Sequence, residues 1–216
     1  MPESTEKKLD ISFKSNKTLK QFAPQAEDGT ALDICIGGGR DALYLATIGY
    51  NVTVYDVLSE FSVRCNRIAE ENSLNVKSYH KNLKEIDITP NSFDLITSAW
   101  ILHSLKKSES GLLIDKMIKG LKPGGMIVIS VFSENDPLFR KESVETKHIE
   151  ENTFFSKEKN SYVHYFSKEE LLDLFKHLKL ISLVDKLNLD TGHGMPHYHG
   201  ILEYVGKKEE VIPIYG

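Results

Sequence analysis

The stretch LDICIGGGRDALYLATIGYNVTVYDV, from Leu32 to Val57, sets Gly37, Gly39 and Ala42 in a G-x-G-x-x-G/A pattern. It closes on Asp56, 17 residues beyond Gly39. Glycines let a backbone approach a ligand closely, and an acid ending the following strand accepts hydrogen bonds from ribose hydroxyls. A nucleoside-bearing ligand fits that chemistry. A second group lies near the other end of the chain. TGHGMPHYHG (Thr191–Gly200) holds His193, His197 and His199 within seven residues. His197 and His199 alternate, so on a strand they share one face. Such a cluster suits a metal, a substrate contact, proton removal near neutral pH, or a solvated loop. No zinc-type spacing and no evident fourth ligand accompany the histidines, so the reading adopted has no metal. His193, His197 and His103, the last in AWILHSL, are the candidate catalytic residues.

Alternating elements must position these groups. Apolar runs predict strands over Ala31–Ile36, Asn51–Tyr55, Val76–His80, Phe93–Ser98, Met126–Phe132, Leu180–Leu187 and Tyr198–Val205. Helical spacing predicts helices over Arg40–Ile48, Ser59–Asn72, Ser108–Gly120 and Lys168–Leu178. LKPGG (Leu121–Gly125) reads as a turn, and Asp136–Val163 has no clear period. Strands separated by helices pair in parallel through right-handed crossovers, whereas adjacent strands without a helix pair antiparallel. The expected fold is therefore α/β: a doubly wound, mostly parallel, Rossmann-like sheet of seven strands with a reversed terminal hairpin. One domain is expected over residues 29–206, with an insert at about 133–166. Residues 1–28 precede it, and FKSNKTLKQFAP is expected to form a helix over the site. Residues 207–216 form a tail.

Composition narrows the partners. The 216 residues carry 27 basic and 31 acidic side chains and a net charge of −4, with no basic stripe for nucleic acid. Two cysteines, Cys35 and Cys65, make no disulfide framework. The start is polar, and no apolar run approaches the roughly 20 residues of a membrane span. A cytoplasmic protein acting on a small molecule is expected. Its oligomeric state is open.

Dinucleotides and S-adenosylmethionine (SAM) are both held by such loops. Three features favour SAM. Asp33 sits inside the first strand, where dinucleotide folds favour an apolar residue; LKPGG introduces the fifth strand; and no substrate domain follows the terminal strand pair. Over about Thr30–Phe132 the sequence resembles the class I SAM-dependent methyltransferases. Within them it resembles the tellurite-resistance (TehB-like) branch, whose loop reads roughly L-D-L-G-C-G-x-G-R-x-x-L-Y-L. Asp33, Gly37, Gly39, Arg40, Leu43, Tyr44 and Leu45 fall on that pattern. Cys35 stands where the branch has its first glycine, and a residue with a Cβ tolerates a left-handed backbone poorly.

The resemblance implies SAM as cofactor and methyl transfer to a thiol, chalcogen oxyanion, amine or hydroxyl. It implies that Asp33, Cys35, Gly37, Gly39 and Arg40 contact SAM and that Asp56 holds the ribose. Val57 then lies beside the adenine, Asn82 and Leu83 at its edge, and Ser98, Ala99 and Trp100 near the sulfonium. Tyr162, His164 and Tyr165 are expected on the far side of the acceptor. Two rival readings remain: a SAM-binding module without catalysis, and an NAD-dependent oxidoreductase.

Overall fold

Alternation along the strands decides which helix covers which face of the sheet. In chain order the elements are α1 (Lys17–Phe22), β1 (Gly29–Cys35), α2 (Arg40–Thr47), β2 (Tyr50–Asp56), α3 (Ser59–Glu71), β3 (Val76–His80), β4 (Phe93–Ala99) and α4 (Lys107–Gly120). There follow β5 (Leu121–Phe132), α5 (Pro137–Glu145), β6 (His148–Glu150), β7 (Thr153–Ser156), β8 (Ser161–His164), α6 (Lys168–Leu174), β9 (Lys179–Asp190) and β10 (His197–Lys207). This is a computed structural model, and it describes residues 15–25, 27–146, 148–156, 160–191 and 195–210.

Leu32 and Ile34 of β1 enter a core shared with Leu113, Ile114 and Met117 of α4 and Leu171 of α6. Ala31 and Cys35 face the other way, against Leu19 of α1, Leu43 of α2 and Cys65 of α3. Asp33 shares that second face by the same alternation. Burying each large aliphatic side chain is worth about 1.5–3 kcal/mol, so the two layers hold the sheet from both sides.

The sheet runs β3-β2-β1-β4-β5-β10-β9. β1, β2, β3, β4 and β5 pair in parallel, while β10 is antiparallel to both β5 and β9. The order reverses between β1 and β4, the switch point outside whose carboxyl ends ligands bind in open α/β sheets. The expected seven-stranded sheet with a reversed terminal hairpin is the one observed.

Three details differ from expectation. LKPGG belongs to β5, but Leu121 opposes Phe93 and Met126 opposes Leu95, so the segment bulges out of register. Gly124, at φ +79°, makes that bulge. The helix from Lys168 ends at Leu174, and Phe175 continues the apolar pattern only as a packed turn residue. The aperiodic insert contains α5 and a small sheet, β6-β7-β8. Its strands are three or four residues long, too short to display a period.

Gly39 is where the fold depends most visibly on a missing side chain. It caps α2 at φ +65°, and a Cβ there would lie 2.7 Å from Cys65 Sγ. A left-handed residue costs about 1–2 kcal/mol and overpacking about 1–3. Chemical denaturation of Gly39→Ala should show a loss of about 2–5 kcal/mol. Measured in a Cys65→Ala background, the same substitution should cost only the backbone strain of about 1–2 kcal/mol. A single-variant loss below about 1 kcal/mol would contradict the close approach.

Candidate active site

The glycine loop carries three successive left-handed residues, Gly37 (φ +125°), Gly38 (φ +88°) and Gly39. Asp56, fully buried at the end of β2, pins them. Its Oδ2 accepts from Gly38 N at 3.0 Å and Gly37 N at 3.4 Å, and its Oδ1 accepts from Leu58 N at 2.9 Å. The Cys35 thiol lies 3.8 Å from the same Oδ2. Cys35 itself keeps ordinary strand backbone within β1, so the absent glycine costs the loop nothing. Burial first, then the carboxylates of Asp33 and Asp56, push its thiol well above the ordinary value. It is a packing residue rather than a thiolate.

Asp33 is the electrostatic anomaly. It is 1% exposed, and neither carboxyl oxygen makes a hydrogen bond of ordinary geometry; the approach of the Cys35 thiol and the Ala42 amide offsets only part of the cost of burial. Burial, then the neighbouring Asp41, raises its carboxyl well above the ordinary range. An unpartnered buried polar group is expensive and calls for an explanation. Asp33 lines a cavity of about 180 Å³ at the switch point. Cys35, Gly37, Gly39 and Arg40 share its wall, with Ala99 and Trp100 from the end of β4. Trp100 holds φ +65°, a strained conformation for a bulky residue of the kind found at functional sites.

Two walls come from segments in which no motif was read. Before α1, Asn16 donates its backbone N–H to Asp41 Oδ1 at 2.7 Å and its side-chain amide to Ser130 Oγ at 2.6 Å. Thr18 Oγ1 donates to Glu203 Oε2 at 2.6 Å. Asn16 and Lys17 therefore sit on the cavity wall. From the terminal hairpin come Lys186, Asn188, Ile201 and Glu203, with Lys186 and Glu203 ion-paired. Their alternation was readable; their facing the glycine loop was not.

Several candidates lie elsewhere. Ser98 is fully buried and gives its hydroxyl to Ile34 O at 3.1 Å, so it ties β4 to β1 instead of facing the cavity. Asn82 is exposed and caps the turn at Leu83, accepting from Lys84 N at 3.1 Å. Leu83 and Val57 pack on the α4 side of the core. None of Asp56, Val57, Asn82 and Leu83 lies on the cavity wall. His103 is buried, its ring stacked on Phe132 at 3.9 Å, and it is not on the cavity wall. His164 is fully buried, bonded to Thr153 and Glu170, and Tyr165 packs in the insert's small core. Tyr162 lies under the Lys106 ammonium. None of these three lines the cavity.

His193 is outside the described residues. His197 and His199 project from one face of β10, their Nε2 atoms 3.0 Å apart. His199 Nδ1 lies 2.9 Å from Oδ2 of Asp136, a buried residue 63 positions earlier. Asp190, opposite His197 in the hairpin, brings its Oδ2 to 3.9 Å from His199 Nε2. His199, Asp136 and Asp190 were not expected site residues. Sequence alternation placed His199 beside His197, but no local signal pointed to the two acids.

Residues 31–125 match a protein family described as "Methyltransferase domain". A SAM-dependent methyltransferase from Methanosarcina mazei shares the architecture at a TM-score of 0.75 and 22% identity, covering 91% of this chain and 99% of that one. The fold is shared with SAM-dependent methyltransferases, and residues 31–125, a little under half of the chain, are similar to a methyltransferase domain. Its resemblance extends to the TehB-like branch: TehB from Haemophilus influenzae matches at a TM-score of 0.68 and 19% identity, over 89% of this chain and 60% of that one. Among curated sequences, the ubiquinone biosynthesis O-methyltransferase of Rickettsia conorii is 28% identical over 102 residues, 47% of this chain and 34% of the relative. The chain spans between a third and a half of the length of such relatives.

The raised Asp33 carboxyl has a measurable consequence. Its folded-state pKa exceeds the unfolded one, so the folded protein holds that proton more tightly. This contribution to stability is complete below the ordinary carboxylate range and is lost as pH rises through the raised value. Asp33→Asn should therefore melt at least about 2 °C above the parent at pH 7, where 1 kcal/mol is about 2–4 °C for a chain of this size. The gap should close at about pH 4. A lower melting point for the variant at pH 7 would show that the carboxylate is already satisfied.

Proposed function

We propose that this protein transfers the methyl group of SAM to a small-molecule acceptor. The carrying observation is Asp33: a buried carboxylate with no hydrogen bond of ordinary geometry, on the wall of a cavity at the sheet's switch point. An ammonium is the partner it lacks, and the methionine end of SAM carries one. Arg40 and the N-terminus of α2 offer positive potential to the carboxylate of that same end. When bound, SAM supplies a methyl already made electrophilic by its sulfonium, so the chain need not provide a nucleophile.

The chain's own residues then bind, orient and exclude water. Asp56 shapes the glycine loop, and we assign it the ribose, a contact for which one of its present donors must yield. Val57, Asn82 and Leu83 are assigned to the adenine side. Ala99 and Trp100 form the wall between cofactor and acceptor, and Lys186, Asn188 and Glu203 line the remaining space. Alignment of this kind is worth about 7–11 kcal/mol in favourable cases. A thiol, amine or hydroxyl acceptor needs its proton removed, which we assign to the acceptor-side histidines, His197 and His193. An acceptor already anionic, such as a chalcogen oxyanion, does not. His103 stacks on Phe132 and lies edge-on to Trp100, and we assign it a positioning role there.

Cys35 in place of a loop glycine is the one feature that would suit a non-catalytic module, and its ordinary backbone gives that reading no support. Net charge −4 favours a small acceptor over nucleic acid. Among the described residues no helix is long and apolar enough to cross a membrane. Two free, buried cysteines suit the reducing cytoplasm.

Calorimetry with S-adenosylhomocysteine tests the reading. A charge-assisted hydrogen bond is worth about 1.5–3 kcal/mol, so Asp33→Asn should bind at least about tenfold more weakly while remaining folded. Parent affinity should fall as pH drops through the raised Asp33 value, because a protonated Asp33 cannot pair with the ammonium. NADH should not bind. Equal affinity in parent and variant would remove the assignment.

A further inference from the structure

The two histidines on β10 face each other in a way that neutral imidazoles resist. His197 Nδ1 lies 2.9 Å from Met195 O, and a carbonyl only accepts, so that nitrogen carries the hydrogen. His199 Nδ1 lies 2.9 Å from Asp136 Oδ2, which also accepts from Gly200 N at 3.0 Å, so it too carries its hydrogen. Both tautomers follow from the partners. In each neutral ring Nε2 is then the bare lone pair, and the two lone pairs stand 3.0 Å apart. A cation must lie between them, either a proton or a metal.

Three further observations favour a metal. A third donor is in place: the ligand atoms of Asp190, His197 and His199 all lie within 4.8 Å of one another. Ligands about 2.0–2.1 Å from a tetrahedral zinc stand about 3.3–3.4 Å apart, and the observed spacings of 3.0 and 3.9 Å bracket that value. The outer contacts also match, since metal-binding histidines donate their other N–H to a carboxylate or a carbonyl. Asp136 is built for this role. It is 2% exposed, and it reaches His199 because position 200 is glycine: a Cβ there would sit 2.2 Å from Asp136 N.

We propose that Asp190, His197 and His199 bind one divalent cation of the zinc type, with a coordination position left for the methyl acceptor. Two nitrogens and one carboxylate oxygen suit zinc better than calcium or magnesium, which favour all-oxygen shells. The site lies on the acceptor side. His199 pairs with Asn188 and Ile201 with Lys186 across the hairpin, so the cluster continues the strip that lines the cavity. Phe132 joins the two, stacked on His199 at 4.7 Å and edge-on to Trp100 at 6.0 Å. With the metal bound, His197 is a ligand and no longer a base, so a thiol or hydroxyl acceptor ligating there releases its proton to solvent and keeps the lone pair that forms the new bond to the methyl carbon. The S–CH₃ electron pair then returns to sulfur, leaving a neutral thioether. This use of the metal rests on the methyl-transfer reading; the binding of the metal does not.

The test is metal binding by the full-length protein after chelator treatment. Titration with zinc in a calorimeter should show one equivalent bound. Cobalt should give the intense visible bands of a low-coordinate site. Asp190→Asn and His197→Gln should each weaken zinc binding at least tenfold, while S-adenosylhomocysteine affinity stays within about twofold and confirms folding. Zinc binding no tighter in the parent than in Asp190→Asn would overturn the site. So would a parent without saturable zinc binding and without low-coordinate cobalt bands; the pair then shares only a proton. Intact S-adenosylhomocysteine binding with no zinc site sinks this inference alone. A zinc site with no S-adenosylhomocysteine binding sinks the methyltransferase reading alone.

Discussion

The buried carboxylate of Asp56 is the contact on which the site depends. Three consecutive residues with positive φ form no regular hydrogen-bond ladder, so their amides need partners from elsewhere. Asp56 provides them to Gly37 and Gly38 from the end of the neighbouring strand, and to Leu58 at the start of α3. One side chain thereby fixes the loop against β2 and the entry into α3. The parallel register makes this possible, because Cys35 and Asp56 are direct neighbours across β1 and β2. The spacing of glycines and acid in the sequence is thus a length condition: the crossover through α2 must return the acid opposite the loop.

Satisfying the loop leaves Asp33 unsatisfied. Gly37 and Gly38 give their N–H groups to Asp56, and Asp41 takes the Asn16 amide. Only the weak approach of the Cys35 thiol and the Ala42 amide reaches Asp33, one pleat back on the same face of β1. A stable fold has no use for that carboxylate, and neither does it need Trp100 in a left-handed conformation. Both lie on one cavity. Two independent costs at one place are better evidence for a ligand than the glycine pattern alone, which any tight strand-to-helix turn satisfies.

Much of this was legible in the sequence because period and spacing are local quantities. β3 has the bounds its apolar run gives, and the helices from Arg40 and Ser59 end within a residue of expectation. Asp33, Gly37, Gly39, Arg40, Ala99 and Trp100 reach the cavity because strand ends at a switch point must. What stayed hidden depends on contacts distant in sequence. Ser98 reads as a ligand neighbour at a strand end, yet its hydroxyl is claimed by Ile34 O 64 residues away. Asp136 opens a segment with no readable period, yet it caps α5 with one oxygen and serves His199 with the other. Tyr165 and His164 read as a pocket wall, whereas the insert's short strands fold them into cores of their own.

The terminal hairpin shows how a strand that only closes the sheet acquires chemistry. β10 runs antiparallel to β5, so its first residues lie at the carboxyl ends of the parallel strands. Strand alternation sends Glu203, Ile201, His199 and His197 to one face, and the pairing with β9 adds Lys186, Asn188 and Asp190 to the same face. The two ends of this strip differ in character. At Glu203 the charges are paired, with Lys186 and Thr18 satisfying the carboxylate, and the strip serves to anchor α1 over the cavity. At His197 and His199 the outer ring nitrogens are satisfied and the inner ones are left facing each other. A run of charge and hydrogen bonding that is closed at one end and open at the other points along the sheet edge, and the open end is where an acceptor has a group left to meet.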